Sequence, residues 1–181
     1  MNTILIFGIS GVGKSWLCRQ AAEVLPVRHV SGSQLIQAEK ERATSQMVST
    51  DALRTDRVVD NQWLLLEGFR NYRLQDSRSI LFDGHNVIDT DNGLVEIPYE
   101  VISGLEPAAV VMVIDSPDTI VMRRASDPSR ARPLRSVEAL STYQNLCLEL
   151  AERHASALSV PTTAIKSGDV NSFISFVGPL V

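Results

Sequence analysis

Apolar residues fall in two rhythms along this chain. Three runs are almost uninterrupted, Thr3–Phe7, Ile80–Phe82 and Val110–Ile114, and apolar runs without alternation are what parallel strands covered on both faces require. Each ends at a turn or an acid: Gly8 after the first, Asp83-Gly84 after the second, Asp115-Ser116-Pro117 after the third. Val27–Val30 and Pro161–Ile165 carry a weaker strand pattern. Helical spacing occupies Lys14–Leu25, Ser33–Lys40, Asp51–Asn71, Asp118–Ser126, Val137–Leu158 and Val170–Val177. In the longest, Val137, Leu140, Tyr143, Cys147, Leu150 and Ala151 span about 140° of arc, a stripe wide enough to face a core. Strands alternating with helices predict an α/β fold, a three-layer sandwich on a parallel sheet with polar groups at the strand C-termini, where open sheets hold ligands. The least patterned stretches, Thr44–Thr50, Asp89–Pro98 and Asp127–Arg135, are expected to be mobile. No repeat or linker interrupts the pattern, so one domain over residues 1–181 is expected.

Composition narrows the field of partners. The 181 residues are 44% hydrophobic and 21% charged, with a net charge of -4, so no global positive field draws nucleic acid or an anionic membrane. The first apolar run stops at Gly8, too short for a signal segment or a membrane span, and a cytoplasmic location is expected. Cys18 and Cys147 lie in separate helical stretches without metal-ligand spacing, and no disulfide is expected.

The chemistry concentrates where the first strand ends. Gly8-Ile9-Ser10-Gly11-Val12-Gly13-Lys14-Ser15 has the GxxxxGK[ST] spacing of a phosphate-binding loop. Its glycines let successive N–H groups point into one concavity, Lys14 can reach the β- and γ-phosphates, and the Ser15 hydroxyl can ligate Mg²⁺. The following helix turns its positive dipole end to the same anion. Phosphoryl transfer then needs a carboxylate at a neighbouring strand end, and Asp83 fits, with Asp115 competing for that place or capping the next helix. Arg123, Arg124, Arg130, Arg132 and Arg135 form a local cationic excess running into a Pro-bounded loop, suited to a lid that closes over triphosphate. Ser31, Gly32 and Ser33 open a helix after a strand, Arg54 and Arg57 follow on the next helix, and His85 is the histidine placed near a substrate. Asp89, Asp91 and Gly93 share part of a calcium-loop spacing, but Leu94 stands where glycine is required.

With those residues in view, the chain resembles the nucleoside monophosphate kinases, and most closely the archaeal-type adenylate kinases. The likeness rests on Gly8–Ser15, Ser31-Gly32-Ser33, Asp83-Gly84-His85 through Ile97-Pro98, Leu105-Glu106-Pro107, and the Arg123-Arg124, Asp127, Arg130-Ala131-Arg132 series. It implies a P-loop NTPase fold with a five-stranded parallel sheet, a monophosphate-binding helical arm over about residues 31–70 and a short lid over about 124–135. It implies transfer from MgATP to a nucleoside monophosphate, AMP being the expected acceptor. Gly8, Ser10, Gly11, Val12, Gly13, Lys14 and Ser15 would hold ATP, Ser15 and Asp83 would hold Mg²⁺ and its waters, and Arg124, Arg130 and Arg132 would stabilise the moving phosphoryl group. Ser31, Gly32, Ser33, Arg54 and His85 would face the acceptor. The family also leaves room for an oligomer. Asp83-Gly84-His85-Asn86 departs from the bacterial Asp-Gly-Phe-Pro-Arg segment, and the lid has no zinc-binding cysteines. A kinase of a small hydroxyl metabolite of shikimate type and a regulatory ATPase remain the alternatives.

Overall fold

A computed structural model describes residues 1–44, 58–127 and 132–181. Five parallel strands form the central sheet: β1 (Thr3–Phe7), β2 (Val27–Ser31), β3 (Ser79–Asp83), β6 (Pro107–Ile114) and β7 (Thr162–Lys166), in the order β2-β3-β1-β6-β7. The uninterrupted apolar runs lie at its centre: Ile4, Leu5, Ile6 and Phe7 are wholly buried, each stabilising the fold by about 1.5–3 kcal/mol relative to exposure. The helices are α1 (Lys14–Val24), α2 (Gly32–Thr44), α3 (Val58–Arg73), α4 (Tyr99–Gly104), α5 (Pro117–Ala125), α6 (Val137–Leu158) and α7 (Val170–Val177). α1 packs with α7, and α6 packs with α4 and α5, so helices cover the sheet in a three-layer sandwich. The α6 stripe buries Leu140, Tyr143, Cys147, Leu150 and Ala151 as its period requires. Beside the sheet, α2 and α3 pack closely: a Cβ on Gly68 would come within 3.2 Å of the Leu35 carbonyl, and Asn71 Nδ2 donates to Glu39 Oε1 at 3.2 Å.

Register sets the site. Asp83 is level with Ile6 on β1 and with Ser31 on β2, so the ends of three strands and the loop after β1 meet at one edge. Order changes direction about β1, whose neighbours β3 and β6 belong to opposite halves of the sheet, the usual place for a ligand crevice.

Two expectations need correction. Asp89–Pro98, expected to be mobile, contains an antiparallel hairpin, β4 (Val87–Thr90) with β5 (Gly93–Glu96). The Thr90 hydroxyl closes its turn, accepting from Asn92 N at 3.2 Å and donating to the Gly93 carbonyl at 2.7 Å. Asp115 does not cap α5; Ser116 does, its hydroxyl accepting from Thr119 N with Pro117 in the first turn. The expected mobile stretch 44–50 and the middle of 127–135 lie largely outside the described residues, as does the start of the helix expected from Asp51.

Candidate active site

The loop from Gly8 to Gly13 holds a shape that side chains would spoil. Gly13 sits at φ 112, in the left-handed region, and a Cβ there would lie 2.6 Å from Ser167 Oγ; a Cβ on Gly8 would lie 2.5 Å from the Val113 carbonyl. α1 starts at Lys14 with no side-chain cap on its first amides, leaving those donors for an anion. Lys14 Nζ turns back to donate to the Gly8 carbonyl at 2.9 Å and lies 3.9 Å from Asp83 Oδ1.

Asp83 is the electrostatic centre of this edge. The Ser15 hydroxyl donates to its Oδ2, and His29 Nε2 lies 3.6 Å from the same oxygen. Burial alone would raise the Asp83 carboxyl. Lys14, with His29, the Ser15 hydrogen bond and nearby His85, outweighs that and draws it down to about 2, so the carboxylate is ionised at neutral pH. A hydroxyl and an ionised carboxylate side by side are hard oxygen donors of the kind Mg²⁺ accepts, with phosphate oxygens and water completing its shell. The donor set therefore fits that ion.

On the other flank, two arginines lean over the loop. Arg124 Nε donates to the Ser10 carbonyl at 2.9 Å, while Arg132 Nε donates to Ser10 Oγ at 3.1 Å and Arg132 Nη2 to Asp127 at 2.7 Å. Burial pulls the Arg124 pKa down, opposed by Asp89, yet a guanidinium stays charged. Arg123 serves elsewhere: it donates to the Val12 carbonyl at 2.8 Å and to Ser167 Oγ at 3.0 Å, and pairs with Asp115 at 3.0 Å. That pair draws Asp115 away from the competition with Asp83. Arg54, Arg57 and Arg130 lie outside the described residues.

One cleft of about 560 Å³ joins these groups. The loop, Lys14, Ser15 and Asp83 line it together with Ser31, Gly32, Ser33, His85, Asn61 and Gln62, the apolar Ile36, Leu65 and Phe82, and the guanidinium groups of Arg124 and Arg132. Beyond the expected His85, which lines the cleft, a second histidine, His29, lies beside Asp83. Asp89, Asn61, Gln62 and Tyr143 also line the cleft without having been singled out for it. Of these, only Asp89 carries a local signal, an acid directly after the apolar pair Val87-Ile88.

Both cysteines are free and buried, as expected from their separation. Burial raises both thiols, Cys147 to about 12, which leaves them unreactive.

Comparison with known proteins agrees with this geometry. The AAA domain family matches residues 7–141. An adenylate kinase from Methanoculleus marisnigri is 30% identical over 149 residues, covering 78% of this chain and 77% of that one. One from Methanococcus vannielii is 25% identical over 183 residues, covering 96% and 94%. A gluconokinase from Sinorhizobium meliloti superposes with a TM-score of 0.57 at 17% identity, covering 99% and 93%, a likeness of fold. The chain belongs to the AAA domain family and to the archaeal adenylate kinase family of ATP-dependent P-loop kinases.

Proposed function

We propose that this protein transfers the γ-phosphoryl group of ATP directly to a nucleoside monophosphate, with AMP as its acceptor. The observation that carries this reading is one cleft lined by the phosphate-binding loop, by Arg124 and Arg132 held on that loop, and by the amides and hydroxyls of Asn61, Gln62, Ser31 and Ser33. In the reaction the bond from the β–γ bridging oxygen to phosphorus breaks, and a phosphate oxygen of the acceptor forms the new one. That nucleophile is already anionic, so no proton has to be removed. The carboxylates of the cleft agree with such an acceptor: Asp83 is engaged by Ser15 and Lys14, Asp89 by Arg135, and Asp127 by Arg132. A hydroxyl acceptor would call on one of them as base.

The roles follow from position. Lys14 swings from the Gly8 carbonyl to the phosphates while loop amides such as those of Gly11, Gly13, Lys14 and Ser15 bind their oxygens and Val12, its own amide held by the Ile9 carbonyl, keeps the loop's curve. Ser15 and Asp83 would hold Mg²⁺, which when bound would supply positive charge to the triphosphate. Arg124, Arg130 and Arg132 meet charge on the transferring group, and Ser31, Gly32, Ser33, Arg54 and His85 face the acceptor. In this reading residues 1–181 form one domain, with 31–70 as the acceptor arm and 124–135 as the lid. A cytoplasmic setting suits two free thiols, no described helix is long and apolar enough to cross a membrane, and assembly into an oligomer is compatible with the family.

The test is a transfer experiment with purified protein, MgATP and AMP, dAMP, CMP, UMP, GMP or shikimate in turn, measuring ADP and phosphorylated product together. Equal amounts of ADP from ATP and nucleoside diphosphate from AMP are expected, and none from Lys14→Ala. ADP without a phosphorylated monophosphate, or product from shikimate alone, overturns the proposal.

A further inference from the structure

Asp89 carries a charge where a four-residue strand has little use for one. It is only 5% exposed, yet β4 brings it to the wall of the cleft. Its Oδ1 accepts from Arg135 Nε at 3.1 Å and Nη2 at 2.9 Å, a two-pronged hold reinforced by Arg135 Nη2 donating to the Thr90 carbonyl at 3.0 Å. Its Oδ2 faces Arg124 Nη1 at 3.6 Å, too far for a hydrogen bond. That oxygen and both terminal nitrogens of Arg124 are buried with no hydrogen-bond partner.

A buried guanidinium with two idle nitrogens is costly unless a charge balances it and a ligand completes it. Arg124 is fixed at its root by the Ser10 carbonyl and by packing of its stem on Gly11, where a Cβ would meet Cγ at 3.0 Å. What remains to fix is the fork, and Asp89 supplies the only fixed carboxylate paired with it among the described residues. Tyr143 steadies the strand that carries Asp89, its hydroxyl donating to the Val87 carbonyl at 2.8 Å.

We propose that Asp89 is a positioning residue for phosphoryl transfer: it holds the Arg124 fork inside the cleft between Asp89 and the phosphate-binding loop, and anchors Arg135 at the end of the lid. Arg124 then presents two desolvated donors to an incoming phosphoryl oxygen without first having to be drawn out of water. This inference rests on the proposed transfer reaction, and its test separates the two.

Asp89→Asn keeps the shape and removes the charge. It is expected to lower kcat by about tenfold or more while changing KM for MgATP by less than about threefold. Made in an Arg124→Lys background, it should cost less than about twofold further, because the residue it acts through is already lost. An equal loss in both backgrounds, or a fall in kcat matched by loss of ATP affinity, assigns Asp89 to the framework and overturns the inference. Should Asp89→Asn not fold, Arg135→Gln loosens the carboxylate from the other side and is expected to cut turnover about threefold or more; wild-type turnover there overturns it as well. If the unaltered protein transfers to no monophosphate, the proposed reaction fails, and affinity for MgADP with fluoroaluminate relative to MgADP alone tests Asp89 without an acceptor. That ratio should drop about tenfold in Asp89→Asn, and an unchanged ratio refutes the role.

Discussion

Replacing Asp83 by Asn changes one charge and almost no volume, so its consequences can be worked from the site. The carboxyl titrates at about 2, against an ordinary 3.8, because Lys14, His29, Ser15 and His85 together outweigh its burial. A depressed carboxyl stabilises the folded chain wherever it is ionised in both states, and that contribution disappears as pH falls from the unfolded value through the folded one. The difference corresponds to about 2 kcal/mol at neutral pH, of which roughly half is lost by pH 3. In a chain of this length that is about 4–8 °C in Tm. Thermal melts of the nucleotide-free protein and of Asp83→Asn, run from pH 7 to pH 3, should therefore start separated by that amount and converge on the acid side. On the proposed role of Asp83 beside Mg²⁺, turnover should fall by about a hundredfold or more, since an amide oxygen brings no negative charge to the ion. A Tm gap that is the same at both ends of the pH range would refute the electrostatic account of Asp83, and wild-type turnover in Asp83→Asn would refute its place in the chemistry.

Two other substitutions probe the flanks of the same cleft. Arg132→Ala removes a side chain bonded to Ser10 Oγ and Asp127; turnover should fall by about tenfold or more with little change in ATP affinity by calorimetry, and loss of ATP binding instead would reassign it to the donor site. Gly13→Ala puts a Cβ 2.6 Å from Ser167 Oγ at a left-handed φ of 112, a strain of about 1–3 kcal/mol; lower Tm and weakened ATP binding by calorimetry are expected together, and an unperturbed affinity would mean the loop tolerates another shape.

What could be read from the chain beforehand was whatever local chemistry decides. Gly8 to Ser15 sits between a strand and a helix, and a loop with that spacing has few other conformations. Val137–Leu158 shows its buried stripe because periodicity is a property of neighbours. The β4–β5 hairpin had a signal too, the short Asp91-Asn92 turn before Gly93. That signal is weak because the strands are four residues long and the first contains an acid. That acid is tolerable because Arg135, 46 positions away, bonds one of its oxygens and Arg124 faces the other. His29 makes the same case. In Val27-Arg28-His29-Val30 two consecutive polar side chains, which point to opposite faces, look like those of an edge strand wet on both sides. Arg28 is instead buried, donating to the Tyr72 and Asp76 carbonyls at 2.9 and 2.8 Å, and His29 reaches Asp83 only because the β2–β3 register sets Ser31 level with Asp83. Register is decided by packing over the whole sheet, so a charge that works through a distant partner is indistinguishable in sequence from one that works through water. Asp89 and His29, polar groups at or beside this site that no local pattern marks, are of that kind, and such positions in short strands should prompt a search for a partner.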